Sequence, residues 1–134
     1  MSADGSLKVD ELSSELPNPA LWGSFRVSAT EGSRLDLMGW VLGARADVEK
    51  IEVVAKGKVV AAAEPGLPRP EVAEEFPDRE AAANCGFDLT IEARGKGRST
   101  LELRAALDDG STAPIGRIQV SAPERRWAGV FRRS

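Results

Sequence analysis

The sequence lacks several residues on which enzyme chemistry usually depends. It contains no histidine and no tyrosine, and Cys85 is its single cysteine. Histidine and tyrosine are common general acids and bases, and histidine and cysteine are common ligands of transition metals. A lone cysteine also excludes a disulfide within the chain. We therefore predict a protein with no catalytic residues, no metal site and no cofactor, in which Cys85 is a small buried apolar residue.

Charge and hydropathy argue against two further classes. The 134 residues carry a formal net charge of −3, with 42% hydrophobic and 29% charged residues, as in an ordinary globular domain. The body of the chain has no basic stripe of the kind that contacts nucleic acid, so no nucleic-acid partner is expected. No secretory signal begins the sequence, and no apolar run approaches the ~18 residues that span a bilayer. If Met1 is the native start, a cytoplasmic protein is predicted.

Alternation of apolar and polar residues dominates the middle of the chain. It predicts an all-β fold, a single antiparallel Ig-like β-sandwich of about seven strands over residues 23–121. Residues 1–22 show no sustained period and are predicted to be a flexible or extended lead-in. Hairpin turns are expected at residues 56–58 and 108–111, and the oxygens of the second turn are too few for a calcium loop.

A short helical insertion is predicted where proline and glutamate interrupt the strand pattern. Pro70 suits the first position of a helix, Val72 and Phe76 would share its inner face, and Pro77 would end it. Asp78 is expected to cap a second turn. Arg69 has two interpretations: it binds an anionic ligand, or it forms a local ion pair with Glu71 or Glu75 that holds the insertion on the sheet.

The basic and aromatic tail, residues 122–134, is a second candidate contact surface. Arg126, Trp127 and Phe131 stand among further arginines, a pattern that suits a partner protein or an anionic membrane surface. The alternative is that Trp127 and Phe131 fold back on the sandwich or lead into a further domain. Trp40 is predicted to pack in the core, and Trp22 and Trp127 are placed at opposite ends of the fold, so no sugar-stacking platform is expected.

The order of short motifs resembles bacterial Ig-like or fibronectin-like β-sandwich modules attached to glycosyltransferases and to other polysaccharide-related or cell-envelope proteins. The resemblance covers about residues 23–121, and it implies a noncatalytic accessory domain. Structural roles are predicted for Gly39, Trp40, Pro70, Val72, Pro77, Gly86 and Phe87. The motifs are Gly39-Trp40, Ile51-Glu52-Val53, Gly57, Arg69-Pro70-Glu71-Val72, Phe76-Pro77, Gly86-Phe87, Leu101-Glu102-Leu103-Arg104-Ala105, Asp109-Gly110 and Ile115-Gly116.

Three functions are weighed on these grounds. The first is a noncatalytic module that mediates protein association or positions a glycan-related enzyme. The second is a carbohydrate-binding module, which needs an exposed aromatic side chain beside a polar groove. The third is a small hydrolase or transferase that uses carboxylates such as Asp36, Asp88 or Asp109, although nothing in their spacing shows that they converge.

Overall fold

The computed structural model describes residues 8–29, 34–92 and 97–122, and within these ranges the chain forms two antiparallel β-sheets. A six-residue helix and a short 3-10 helix join the fifth strand to the sixth. The elements are β1 (Lys8–Ser14), β2 (Leu21–Ala29), β3 (Arg34–Gly43), β4 (Val48–Ala55), β5 (Lys58–Ala63), α1 (Pro70–Glu75), the 3-10 helix (Glu80–Asn84), β6 (Gly86–Glu92), β7 (Gly97–Leu107) and β8 (Thr112–Ala122).

The strands form a five-stranded sheet in the order β1-β8-β7-β4-β5 and a three-stranded sheet in the order β2-β3-β6. Alternate residues of both sheets point into a common apolar core, so the predicted all-β sandwich is confirmed. Eight strands are present among the described residues, against about seven expected. The largest fully buried side chains between the sheets include Phe87, Leu21, Leu35, Leu37, Ile51, Leu103, Ile115 and Ile118.

The additional strand lies in the segment predicted to be a lead-in. β1 pairs with β8 along the edge of the five-stranded sheet, and its register shifts between Val9 and Glu11. A β-bulge of this kind interrupts the two-residue period, which explains why the sequence shows no regular alternation there. Val9 and Leu16 nevertheless pack against the main core, so residues 8–22 are part of the sandwich.

Tight turns and a close strand approach account for several glycines. Lys56 and Gly57 both have positive φ, 53° and 79°, which suits a two-residue hairpin turn between β4 and β5. The predicted turn at 108–111 is confirmed, since the Ser111 N–H and hydroxyl donate to Asp109 Oδ1 at 2.9 and 2.6 Å. A Cβ at Gly39 would collide with the carbonyl oxygen of Ser24 on the neighbouring strand.

Candidate functional site

The insertion, residues 65–85, is the main departure from strand structure in the part of the chain described, and backbone hydrogen bonds fix both of its ends. The N–H groups of Gly66 and Leu67 donate to the Gly86 carbonyl at 2.9 and 3.0 Å, and the Gly86 N–H returns a bond to Leu67 at 3.0 Å. The Arg69 N–H donates to the Ala83 carbonyl at 2.8 Å. The two ends of the insertion are therefore held together beside Gly86, the first residue of β6.

The local sequence explains the helix inside this loop. Pro70 occupies the first helical position and Pro77 follows the Phe76 cap, as predicted. The inner face is also as predicted, because Val72 is fully buried and Phe76 is half-buried. The predicted cap at Asp78 is wrong: Arg79 occupies the cap position of the 3-10 helix, without a side-chain hydrogen bond to its backbone.

A second hydrophobic core lies beneath the insertion, separate from the core between the sheets. Its buried residues are Leu42, Val72, Ala82 and Cys85, and Trp22, Trp40 and Phe76 pack against it. Leu42 and Trp40 alternate along β3 with the residues that enter the main core. This second core therefore lies on the outer face of the three-stranded sheet.

Three aromatic side chains, Trp22, Trp40 and Phe76, form what we call the aromatic cluster. The ring centroid of Phe76 lies 4.9 Å from that of Trp22 and 6.3 Å from that of Trp40, and all three side chains are half-buried. Trp40, predicted to pack in the core, packs against the second core and is not part of the core between the sheets. The strand register places Trp22 opposite Leu42 and Trp40 opposite Ser24, which brings both tryptophans to the same face.

Arg79 ties this cluster to the rest of the sandwich. Its guanidinium donates to the carbonyls of Gly43 and Ala44 at 3.2 and 2.8 Å. Its Cζ also lies 5.1 Å from the ring centroid of Trp22, in a cation–π arrangement. Arg79 therefore links the insertion, the end of β3 and the aromatic cluster.

Arg69 and Glu71 form the local ion pair that was one of the two interpretations. Arg69 Nη1 lies 3.0 Å from Glu71 Oε2, and both side chains are in contact with solvent. A hydrogen bond from its own backbone N–H and the bond from Arg69 hold the pKa of Glu71 below its usual range. The guanidinium of Arg69 is thus already engaged by a carboxylate.

Cys85 is buried in the second core and forms no disulfide. Its Sγ lies 3.3 Å from the Ala82 carbonyl, to which the thiol donates a weak hydrogen bond. Burial raises the pKa of the Cys85 thiol, which disfavours the reactive thiolate. The prediction that Cys85 acts as a small apolar residue agrees with this environment.

The outer face of the five-stranded sheet carries a network of charged residues. Glu52 is buried there and accepts a hydrogen bond from Arg104 Nε at 2.8 Å, while Lys50 Nζ lies 3.5 Å from its other oxygen. The bond from Arg104 lowers the pKa of Glu52, against the opposing effect of burial. This carboxylate is therefore satisfied within the fold.

The three carboxylates named for an enzymatic function lie in two places. The register of β3 and β6 puts Asp36 opposite Thr90 and Asp88 opposite Met38, so these two aspartates are diagonal neighbours on the three-stranded sheet. Asp36 accepts a hydrogen bond from Thr90 Oγ1 at 2.7 Å. Asp109 lies in the β7–β8 turn of the other sheet and does not join them.

Residues 8–29, 34–92 and 97–122 contain no group of three histidine, cysteine, aspartate or glutamate residues placed to hold a metal ion. They also contain no helix with the length and apolar character needed to cross a membrane. Arg126, Trp127 and Phe131 lie outside these described residues. Comparison of the sequence with protein-family models and with curated proteins finds no match.

Sequence reasoning missed the roles of Trp22, Phe76 and Arg79 as a group. The spacing of Val72 and Phe76 indicated one half of the contact, the inner face of α1. The other half depends on the β2–β3 register, which places Trp22 beside Trp40. An alignment of β2 and β3 as an antiparallel hairpin, beginning at Leu21, would have predicted that Trp22 and Trp40 lie on the same face.

Proposed function

We propose that this chain is a noncatalytic interaction module that associates with a protein through the surface running from β5 into the insertion. The observation that carries the proposal is the position of the exposed apolar side chains. Among the described residues, four large apolar side chains are exposed. Val59, Val60 and Leu67, at 47%, 56% and 48%, lie on this one stretch of the chain, and Leu12, at 39%, lies on β1. Exposed apolar side chains grouped in this way are typical of protein interaction sites.

The charged groups beside this surface support the same function. Arg69 is paired with Glu71, and Arg79 is bonded to backbone carbonyls. Such internally satisfied groups hold the insertion in a fixed shape, which lowers the entropy lost when a partner binds. A rigid apolar surface with satisfied charges suits association by shape complementarity. The sequence resemblance adds a glycan-related enzyme as the partner class.

Site-specific photo-crosslinking in the native cell lysate tests this proposal. A photoreactive phenylalanine analogue replaces Leu67 in one protein and Gln119 in a matched control, since Gln119 is exposed on β8 of the five-stranded sheet. We expect a protein adduct from position 67 and none from position 119. Equal labelling at the two positions, or none at position 67, would contradict the proposal.

Carbohydrate binding is the second candidate, and the aromatic cluster is the observation that favours it. Trp22 and Trp40 are both partly exposed on one face, where a sugar ring could stack against an indole. The test is a titration of tryptophan fluorescence with an oligosaccharide panel, in the wild type and in Trp22→Ala. A saturable change that disappears in Trp22→Ala would establish this function, and an unchanged wild-type emission would remove it.

A further inference from the structure

An arginine contacts a methionine sulfur on the outer face of the three-stranded sheet. Met38 is half-buried on β3, and the strand register sets it between Arg26 of β2 and Asp88 of β6, which are both exposed. Arg26 Nη2 lies 3.5 Å from Met38 Sδ and donates a hydrogen bond to it. This contact lies on the exposed surface, so a small solute can reach the sulfur.

The guanidinium of Arg26 has a weak partner in this contact. A thioether sulfur is a poor hydrogen-bond acceptor. Within the part of the chain that the structure describes, Arg26 forms no other hydrogen bond or ion pair. By contrast, Arg69, Arg79 and Arg104 all donate to carboxylate or carbonyl oxygens. Arg26 is therefore a charged donor placed beside a sulfur that lacks an oxygen.

We propose that Met38 is a site of oxidation to methionine sulfoxide by hydrogen peroxide, and that Arg26 binds the oxygen that the sulfur gains. The sulfur lone pair attacks one peroxide oxygen, so that an S–O bond forms and the O–O bond breaks. The proton of the transferred oxygen passes to the other oxygen, which leaves as water. The sulfur is oxidised by one pair of electrons and the peroxide is reduced by the same pair.

The charges on either side of Met38 favour the sulfoxide oxygen on the side of Arg26. This oxygen carries partial negative charge, so Arg26 attracts it and Asp88 repels it. A hydrogen bond from a charged donor is roughly twice as strong as one between neutral groups. Because Arg26 is exposed, its guanidinium can move outward to make room for the oxygen. The fold should therefore tolerate oxidation at Met38, whereas a sulfoxide in an apolar core disrupts packing.

Oxidation of Met38 also changes the surface beside the aromatic cluster. Met38 and Trp40 are alternate residues of β3, so they lie on the same face of the sheet. The sulfoxide places a polar group next to the indole of Trp40. This modification does not depend on the proposed function, which concerns β5 and Leu67.

A thermodynamic cycle in which oxidation is one of the two changes tests the role of Arg26. The wild type, Arg26→Gln and the control Arg117→Gln are treated with hydrogen peroxide, and peptide mass mapping measures the oxygen gained at Met38. Urea unfolding is then measured for the reduced and the oxidised form of each protein. Arg117 is exposed on β8 of the other sheet, so its variant removes an equal charge away from Met38.

Oxidation should raise the unfolding equilibrium constant about tenfold more in Arg26→Gln than in the wild type. Its effect should be the same in Arg117→Gln as in the wild type. N-acetylmethionine amide in the same solution provides the reference for reaction with peroxide. No oxygen at Met38 when this reference is fully oxidised would overturn the site. Equal effects of oxidation in the wild type and in Arg26→Gln, or the same tenfold difference in Arg117→Gln, would overturn the binding of the oxygen by Arg26.

Discussion

The substitution Phe76→Ala tests how strongly the second core holds the insertion on the sandwich. Phe76 contacts the rings of Trp22 and Trp40 and packs over Val72 and its neighbours. Truncation of a fully buried phenylalanine costs about 3–5 kcal/mol. Because Phe76 is half-buried, we expect a loss of about 2 kcal/mol. That loss makes the open form of the insertion about 30-fold more populated.

Cys85 provides the assay for this opening. It is the chain's one cysteine and is 3% exposed within the second core. A thiol reagent therefore reacts when the insertion leaves the sheet, and Phe76→Ala should accelerate labelling about 30-fold at constant pH. The labelling rate of Phe76→Ala should be nearly the same with and without low urea. Opening of the insertion exposes much less surface than global unfolding does, so it depends only weakly on urea.

A matched variant in the main core distinguishes local opening from global unfolding. Leu89 is 8% exposed and belongs to the core between the sheets. Leu89→Ala should lower Tm without faster labelling of Cys85 in the absence of urea. If Leu89→Ala accelerates labelling as much as Phe76→Ala does, the insertion does not open separately, and the two cores form one cooperative unit.

Three further predictions concern single contacts. Gly39→Ala should reduce the free energy of unfolding by about 2–3 kcal/mol, because its Cβ would collide with the neighbouring strand; an unchanged urea midpoint would contradict this. Arg104 lowers the pKa of Glu52, so the unfolded chain binds more protons around that pKa. The stabilisation is complete above the ordinary glutamate pKa of about 4.3 and is lost as pH falls through the lower folded value. Thermal unfolding from pH 6 downward should therefore show a smaller acid-induced decrease in Tm for Glu52→Gln, and parallel curves would refute the assignment. Arg79→Lys keeps the charge but cannot bond both carbonyls in the same geometry. It should speed thiol labelling of Cys85 about tenfold, a change equivalent to about 1.4 kcal/mol, and an unchanged rate would show that these bonds do not hold the insertion.

Local patterns in the sequence predicted those parts of the fold that depend on neighbouring residues. The alternation of Leu35 and Leu37 with polar residues identified an inner face, and Pro70 and Pro77 located the helix. Features that depend on pairing between distant segments were not predicted. The bulge in β1 removed the periodicity that would have revealed that strand.

The aromatic cluster shows the same limit at the candidate site. Each of its members was visible in the sequence, but their proximity follows from the β2–β3 register combined with the path of the insertion over the sheet. Asp78 illustrates the reverse case. It has the residue type of a helix cap, yet the 3-10 helix begins after Arg79, so a favourable local signal was overridden by the longer-range contacts of Arg79.

The two outer faces of the sandwich are completed in different ways, and this difference bears on where the proposed partner would bind. The insertion covers apolar residues such as Leu42 on the three-stranded sheet, whereas Glu52 and Arg104 satisfy each other on the five-stranded sheet. Neither arrangement leaves a broad apolar face among the described residues. Of the four exposed large apolar side chains of the described residues, Val59 and Val60 lie on the β5 edge, Leu67 lies where the chain crosses from one sheet to the other, and Leu12 lies on the opposite edge, β1. We therefore expect the proposed partner to bind along β5 and at Leu67, and not on either sheet face.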